Sequence, residues 1–175
     1  AGQVCASIER LVVHEKVYDA FVPKLVERVK ALRVGDASVS SEIDLGPLVN
    51  RRQLDIVAAL VEDAVAKGAT VACGGHRIEG PGFFYAPTVL TNVTTDMDIV
   101  NRETFGPVVP VMKVASEAEA ILEANRSHLG LLAYVFTRSG SRGRRIAEQI
   151  RAGTVMVNDV LATAAAAETP WGGLK

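Results

Sequence analysis

The apolar positions of this chain recur with two periods, and the switching between them predicts the order of strands and helices. From Ser7 to Glu15 the run Ser-Ile-Glu-Arg-Leu-Val-Val-His-Glu is β-branched and partly alternating, which predicts a strand. Between Lys16 and Val34 the spacing changes. Val17, Phe21, Leu25, Val29 and Leu32 fall three or four apart, as on one helix face, with Pro23 either in the first turn or kinking the helix. Gly35-Asp36 ends this segment, and a polar loop through Ser38, Ser40 and Ser41 leads to Leu45-Gly46-Pro47-Leu48-Val49. A second helix is expected from about Arg51 to Lys67, apolar at Leu54, Val57, Val61 and Val65, with Gly68 as its C-terminal glycine.

Ala69 to Cys73 is a short β-type run closed by Gly74-Gly75, and Phe84 to Leu90 is another, whose Pro87 predicts an edge strand or a bulge. After Asp96, Asp98, Arg102 and Glu103 comes Thr104-Phe105-Gly106-Pro107, and then Val108 to Val114, apolar enough for a buried strand. Ser116 followed three residues later by Glu119 is a capping-box pattern that opens a helix to about Arg126. Leu131 to Thr137 reads as a strand, Ser141 to Arg151 as a helix and Thr154 to Asn158 as a strand. Alternating strands and helices predict an α/β fold: a mostly parallel sheet with helices on both faces. The tail differs, since Ala162 to Ala167 is small and patternless, and Pro170-Trp171-Gly172-Gly173 is a turn or loop holding the sole tryptophan. No repeat or linker-like tract divides the chain.

Composition narrows the function classes. At 175 residues the chain has about the length of one domain. With 49% apolar and 22% charged residues and a net charge of -1, it offers no field for nucleic acid or an anionic membrane surface. No apolar run approaches the roughly 18 residues that span a bilayer, and no signal segment opens the chain. Two cysteines, Cys5 and Cys73, are too few and too far apart for a disulfide scaffold, which points to a reducing compartment and a cytoplasmic location.

Candidate chemistry narrows in the same way. His14, His76 and His128 are far apart and neither cysteine belongs to a CxxC pair, so no metal site is expected. Gly74-Gly75 and Gly172-Gly173 lack the strand, glycine pattern and helix that cradle a pyrophosphate. Arg142, Arg144 and Arg145 lie on a predicted helix as a solvated face, and Cys73 reads as a small buried residue in a strand. Cys5 remains, as either a structural residue or a nucleophile. A nucleophilic cysteine needs its thiolate favoured by surroundings the sequence does not show.

The neighbours of Cys5 carry a family resemblance. Gly2-Gln3-Val4-Cys5 resembles the catalytic-cysteine motif of the NAD(P)-dependent aldehyde dehydrogenase superfamily, and Glu103-Thr104-Phe105-Gly106-Pro107 resembles that family's Glu-x-Phe-Gly-Pro motif. Further matches follow in family order: Gly46-Pro47-Leu48, Asn125 with Gly130-Leu131 before Val135-Phe136-Thr137, Gly153-Thr154-Val155 with Val157-Asn158, and Pro170-Trp171-Gly172-Gly173-Leu174-Lys175. The resemblance covers almost the whole chain and implies a single cysteine-bearing catalytic domain over residues 1–175.

It further implies that the Rossmann-type cofactor domain, the general-base glutamate and the oxyanion-binding asparagine precede this sequence, and that a C-terminal end follows it. NAD or NADP would be held mostly by that other domain. Cys5 is the implied nucleophile, Glu103 the residue accepting hydrogen bonds from the nicotinamide ribose, and Phe105 the ring beside the nicotinamide. The implied substrate is a small-molecule aldehyde, which would be oxidised to a carboxylic acid through a cysteine thiohemiacetal and thioester. The full-length enzyme would be a homodimer or homotetramer, and this chain alone would be inactive. Asn158 and Trp171 match family positions, but a strand-end asparagine capping a loop and an aromatic under a turn explain them equally.

This chain departs from the family pattern at Leu129, where a tyrosine is common, and over Leu161 to Thr169, mostly alanine here, which in the family lines the mouth of the aldehyde pocket. Two other functions stay open. One is a CoA-acylating member that resolves the thioester with a thiol, and the other is a non-catalytic binding domain on the same scaffold.

Overall fold

The computed structural model describes residues 2–160, 168 and 171–175. The chain forms two compact units, Ala1–Ala115 and Ser116–Lys175.

The first unit is built on a four-stranded sheet. Its elements are β1 (Leu11–His14), α1 (Glu15–Lys30), α2 (Arg51–Ala66), β2 (Thr70–Cys73), β3 (Thr88–Thr91), α3 (Asp98–Asn101) and β4 (Val108–Val114), with sheet order β1-β4-β3-β2. β4 pairs in parallel with β1 and with β3, and β2 joins β3 antiparallel. The Phe84–Leu90 run does not form the expected edge strand. The strand starts only at Thr88, after Pro87, and lies inside the sheet between β4 and β2. The proline thus removes no ladder donor, and the register irregularity falls instead on β2, between Val71 and Cys73.

Side chains alternate across this sheet, so each face has its own cover. Val13, Val89, Val111 and Cys73 pack with Tyr18, Val22, Leu25, Val26 and Val29 of α1. Leu90, Val108 and Met112 share the larger cluster with Leu54, Val57 and Val61 of α2 and with Ile99 and Val100 of α3. Helices therefore cover both faces, as the pattern predicts. Pro23 lies well inside α1, because the helix starts at Glu15 and His14 accepts the Lys16 amide as its N-cap. Asn50 caps α2 by accepting the Gln53 amide at 2.9 Å, and Gly68 follows its end with φ +102°.

The second unit contains α4 (Glu117–Arg126), β5 (Leu132–Val135), α5 (Gly140–Ala147) and β6 (Thr154–Val157), with β5 and β6 parallel. Ser116 caps α4 by accepting the Glu119 amide at 3.1 Å, as its pattern predicts. Gly143 lets α5 meet β6, since a Cβ there would lie 2.4 Å from Val157 Cγ1. The expected solvated arginine face on α5 is partly engaged: Glu117 holds Arg142 at 2.6 Å and Arg145 at 3.2 Å. No helix among the described residues is long and apolar enough to cross a membrane. Ala162 to Ala167 and the Leu161 to Thr169 segment, apart from exposed Glu168, lie outside the described residues, as does Pro170.

Candidate active site

Cys5 lies on a tight turn ahead of β1. The Ser7 amide donates to the Val4 carbonyl at 2.8 Å, and the thiol is exposed and in no disulfide. The residues before the turn are anchored by backbone chemistry. Gln3 donates from Nε2 to the Pro47 carbonyl at 3.1 Å and accepts the Val49 amide at 2.8 Å, so one side-chain amide mimics a strand partner for that segment. Gly2 has φ +73°, and a Cβ there would fall 2.1 Å from the Gly106 carbonyl oxygen. Only glycine permits both that conformation and that approach.

The residue that anchors the far side of the turn is Glu9. Its carboxylate accepts the Thr104 amide at 2.8 Å and the Phe105 amide at 3.1 Å. Gln53, in the first turn of α2, grips the same two residues by their carbonyls, donating to Thr104 O at 2.8 Å and Phe105 O at 3.2 Å. The loop so held is not relaxed. Phe105 has φ +47°, a left-handed conformation that costs a non-glycine residue about 1–2 kcal/mol. Hydrogen bonds to both sides of its peptides offset that cost.

Exposure along this loop alternates. Glu103 is exposed, Thr104 is 0% exposed and Phe105 is half-buried. Burial pushes the Glu9 carboxyl above its ordinary 4.5, the Thr104 and Phe105 amides oppose that shift by favouring the carboxylate, and the nearby Glu103 charge adds to it. The Thr104 hydroxyl lies close enough to Glu9 to favour its charge, yet is aligned as a hydrogen bond with no partner among the described residues. Past the loop, the Pro107 carbonyl accepts the Thr88 amide at 2.8 Å, which ties it to the sheet as β4 begins.

The structure thus brings the Cys5 turn and the Glu103–Phe105 loop together on one unit, through Gly2 against Gly106 and Glu9 beneath Thr104 and Phe105. Cys73 is buried at 9% in β2, with its sulfur 3.9 Å from the Pro87 carbonyl, as the pattern predicts. Asn158 crosslinks the second unit, accepting the Thr137 amide and donating to the Thr137 carbonyl, both at 2.8 Å. Trp171 is exposed at 52%.

The aldehyde dehydrogenase family model matches residues 1–175. The chain belongs to the aldehyde dehydrogenase family. A relative named succinate-semialdehyde dehydrogenase [NADP(+)], from Mycolicibacterium paratuberculosis, is 42% identical over 174 residues, which are 99% of this chain and 36% of that enzyme. Among solved structures, succinate-semialdehyde dehydrogenase from Burkholderia pseudomallei matches with TM-score 0.93 and 43% identity over 99% of this chain and 36% of that one. Betaine aldehyde dehydrogenase from Staphylococcus aureus, in complex with NAD+ and bearing a BME-modified cysteine, matches with TM-score 0.92 and 37% identity over 99% and 35%. The chain thus spans about a third of the length of these relatives.

Within this aldehyde dehydrogenase chain, Glu9 and Gln53 are the site-building residues that sequence reasoning missed. Glu9 falls in a β-type run and Gln53 on the polar side of a helix, and neither position differs in pattern from a solvated one.

Proposed function

We propose that this chain is the cysteine-bearing part of an NAD- or NADP-dependent aldehyde dehydrogenase that oxidises a small aldehyde to a carboxylic acid. The observation that carries the proposal is the joining of the Cys5 turn to the Glu103–Phe105 loop by Gly2, Gly106 and Glu9. In this reading the Cys5 thiolate attacks the aldehyde carbon to form a thiohemiacetal, and the Cys5 backbone amide donates to the developing oxyanion. Loss of hydride from the thiohemiacetal, for which a bound nicotinamide would supply the acceptor, leaves a thioester on Cys5, and water hydrolyses it, returning the thiol and releasing the acid.

The loop suits a dinucleotide. Glu103 offers an exposed carboxylate that can accept hydrogen bonds from ribose hydroxyls, and Phe105 is held half-buried by a backbone pinned on both sides. When bound, the nicotinamide supplies the hydride acceptor. Glu103 would orient the ribose and Phe105 would shield one side of the reacting centre from water. Relatives named as NADP+ enzymes and a related structure holding NAD+ support either cofactor. Two relatives named succinate-semialdehyde dehydrogenase, at 42% and 43% identity, favour a semialdehyde substrate.

The Rossmann-type domain and the general base belong, in this proposal, to other parts of a longer protein that is a homodimer or homotetramer in the cytoplasm. The 175-residue chain by itself then neither binds NAD tightly nor oxidises aldehydes. The test is a panel of semialdehydes and other aldehydes on the complete enzyme, with Cys5→Ala as control. Loss of NAD(P)H formation and of thiol labelling in the variant is expected, and activity surviving the substitution would sink the assignment. Acyl-CoA formed on adding CoA would instead identify an acylating enzyme.

A further inference from the structure

Glu9 has no part in the chemistry just described, yet its placement is costly unless it serves the loop it holds. Its carboxylate is partly withdrawn from water, and two consecutive backbone amides replace the lost hydration. Those amides belong to the two peptides that lead into Phe105, whose backbone is left-handed with φ +47°. Gln53 holds the matching carbonyls. Acceptors on one side and a donor on the other hold the three successive peptides around Thr104 and Phe105, with Glu103 exposed at the start of the loop.

We infer that Glu9 is a positioning residue for the cofactor. Its carboxylate fixes the Thr104 and Phe105 backbone, and so sets the direction from which Glu103 and Phe105 meet the nicotinamide riboside. The same carboxylate ties this loop to the Cys5 turn, because Glu9 and Cys5 are separated by only three residues. Together with the close approach of Gly2 to Gly106, this side chain holds the thiol turn against the cofactor loop. The inference rests on the cofactor role proposed above for Glu103 and Phe105.

The chemistry of substitution separates this role from simple packing. Glu9→Gln keeps the shape but replaces one acceptor with an NH2 group, which faces a backbone N–H as donor against donor. Glu9→Ala removes both acceptors. A space-filling residue would tolerate Gln and suffer from Ala, whereas a backbone-holding carboxylate is damaged by both. Gln53→Met releases the loop from its carbonyl side while keeping a similar volume, and serves as a second variant should Glu9 substitutions fold poorly.

The experiment uses the complete enzyme and measures NAD+ and NADP+ affinity by calorimetry, amide exchange at Thr104 and Phe105, and KM for the aldehyde. Glu9→Gln is expected to weaken cofactor binding about 10- to 100-fold and to speed exchange at both amides, while the aldehyde KM changes less than about twofold. Gln53→Met should act in the same direction. Glu103→Gln is run in parallel as the check on the underlying reading. If Glu103→Gln weakens binding but Glu9→Gln and Gln53→Met leave affinity and exchange at wild-type values, the positioning role is overturned and the cofactor reading stands. If Glu103→Gln leaves cofactor affinity unchanged, the cofactor reading fails, and the inference fails with it.

Discussion

The two compact units secure their loops by different means. In residues 1–115 the loops close over apolar clusters on both faces of the sheet, with Leu90, Met97, Ile99 and Val57 fully buried on one and Val111 on the other. In residues 116–175 the buried apolar side chains among the described residues are Val135 and Met156, at 8% and 7% exposure. A segment that short buries too little apolar surface to hold itself by packing alone, so polar crosslinks take over. Asn125 donates to the Gln149 carbonyl and accepts the Arg151 amide, Asn158 grips Thr137 by both its backbone groups, and Lys175 donates to the Asn125 carbonyl. The first unit uses this device too, at Gln3, Gln53 and Glu9, but there it shapes the candidate site on top of a core that already holds.

The difference predicts where substitutions hurt. The largest effect belongs to the first core: Leu90→Ala, at a position 0% exposed, should cost about 2–5 kcal/mol in urea unfolding. The matching truncation Leu132→Ala in half-buried β5 should cost clearly less, and equal costs would break the contrast.

Glycine contacts come next, since both units bring two backbones together at one. A Cβ at Gly2 would sit 2.1 Å from Gly106 O, and one at Gly153 would sit 1.7 Å from Gly172 O. Each alanine variant should cost about 1–3 kcal/mol by overpacking. Their readouts differ: Gly2→Ala should change the alkylation rate of Cys5, whereas Gly153→Ala should destabilise the second unit and leave that rate alone.

A polar crosslink should cost less than a core residue. Asn158→Ala removes two hydrogen bonds and places alanine at φ +57°, for a loss of about 1–3 kcal/mol. Asn158→Gly loses the same bonds but tolerates the dihedral angle, so its melting temperature should lie above that of the alanine variant.

The smallest effects concern pH, and the two units should differ in sign. Burial raises the Glu9 carboxyl above its ordinary 4.5, so the folded protein holds that proton more tightly than the unfolded chain does. Its stabilising contribution is complete below 4.5 and is lost as pH rises through the raised value. Glu117 is held below its ordinary 4.5, first by the Arg142 hydrogen bond, so its contribution is present above 4.5 and lost as pH falls through the lowered value. Glu9→Gln should therefore make stability rise more steeply with pH just above 4.5, and Glu117→Gln should flatten its fall below 4.5. Thermal unfolding across pH 3–7 checks both, and added salt should weaken only the exposed Glu117 pairs.

What the sequence by itself determined was local and periodic. Apolar spacing marks α2, the continuous run Val108–Val114 marks β4 to the residue, and Ser116 with Glu119 marks the start of α4, because periodicity and capping are properties of neighbours along the chain. The motifs around Cys5 and Glu103 were legible for the same reason, each being a short run of contiguous residues. Only the tertiary structure decided that β3 lies inside the sheet, that His14 caps α1, and that Glu9 and Gln53 hold one loop from opposite sides. Glu9 lies 95 residues from Thr104 in sequence, and nothing local tells a solvated glutamate from one that holds two backbone amides. A side chain's partners are set by which segments the core brings together, and that is a property of the packed whole.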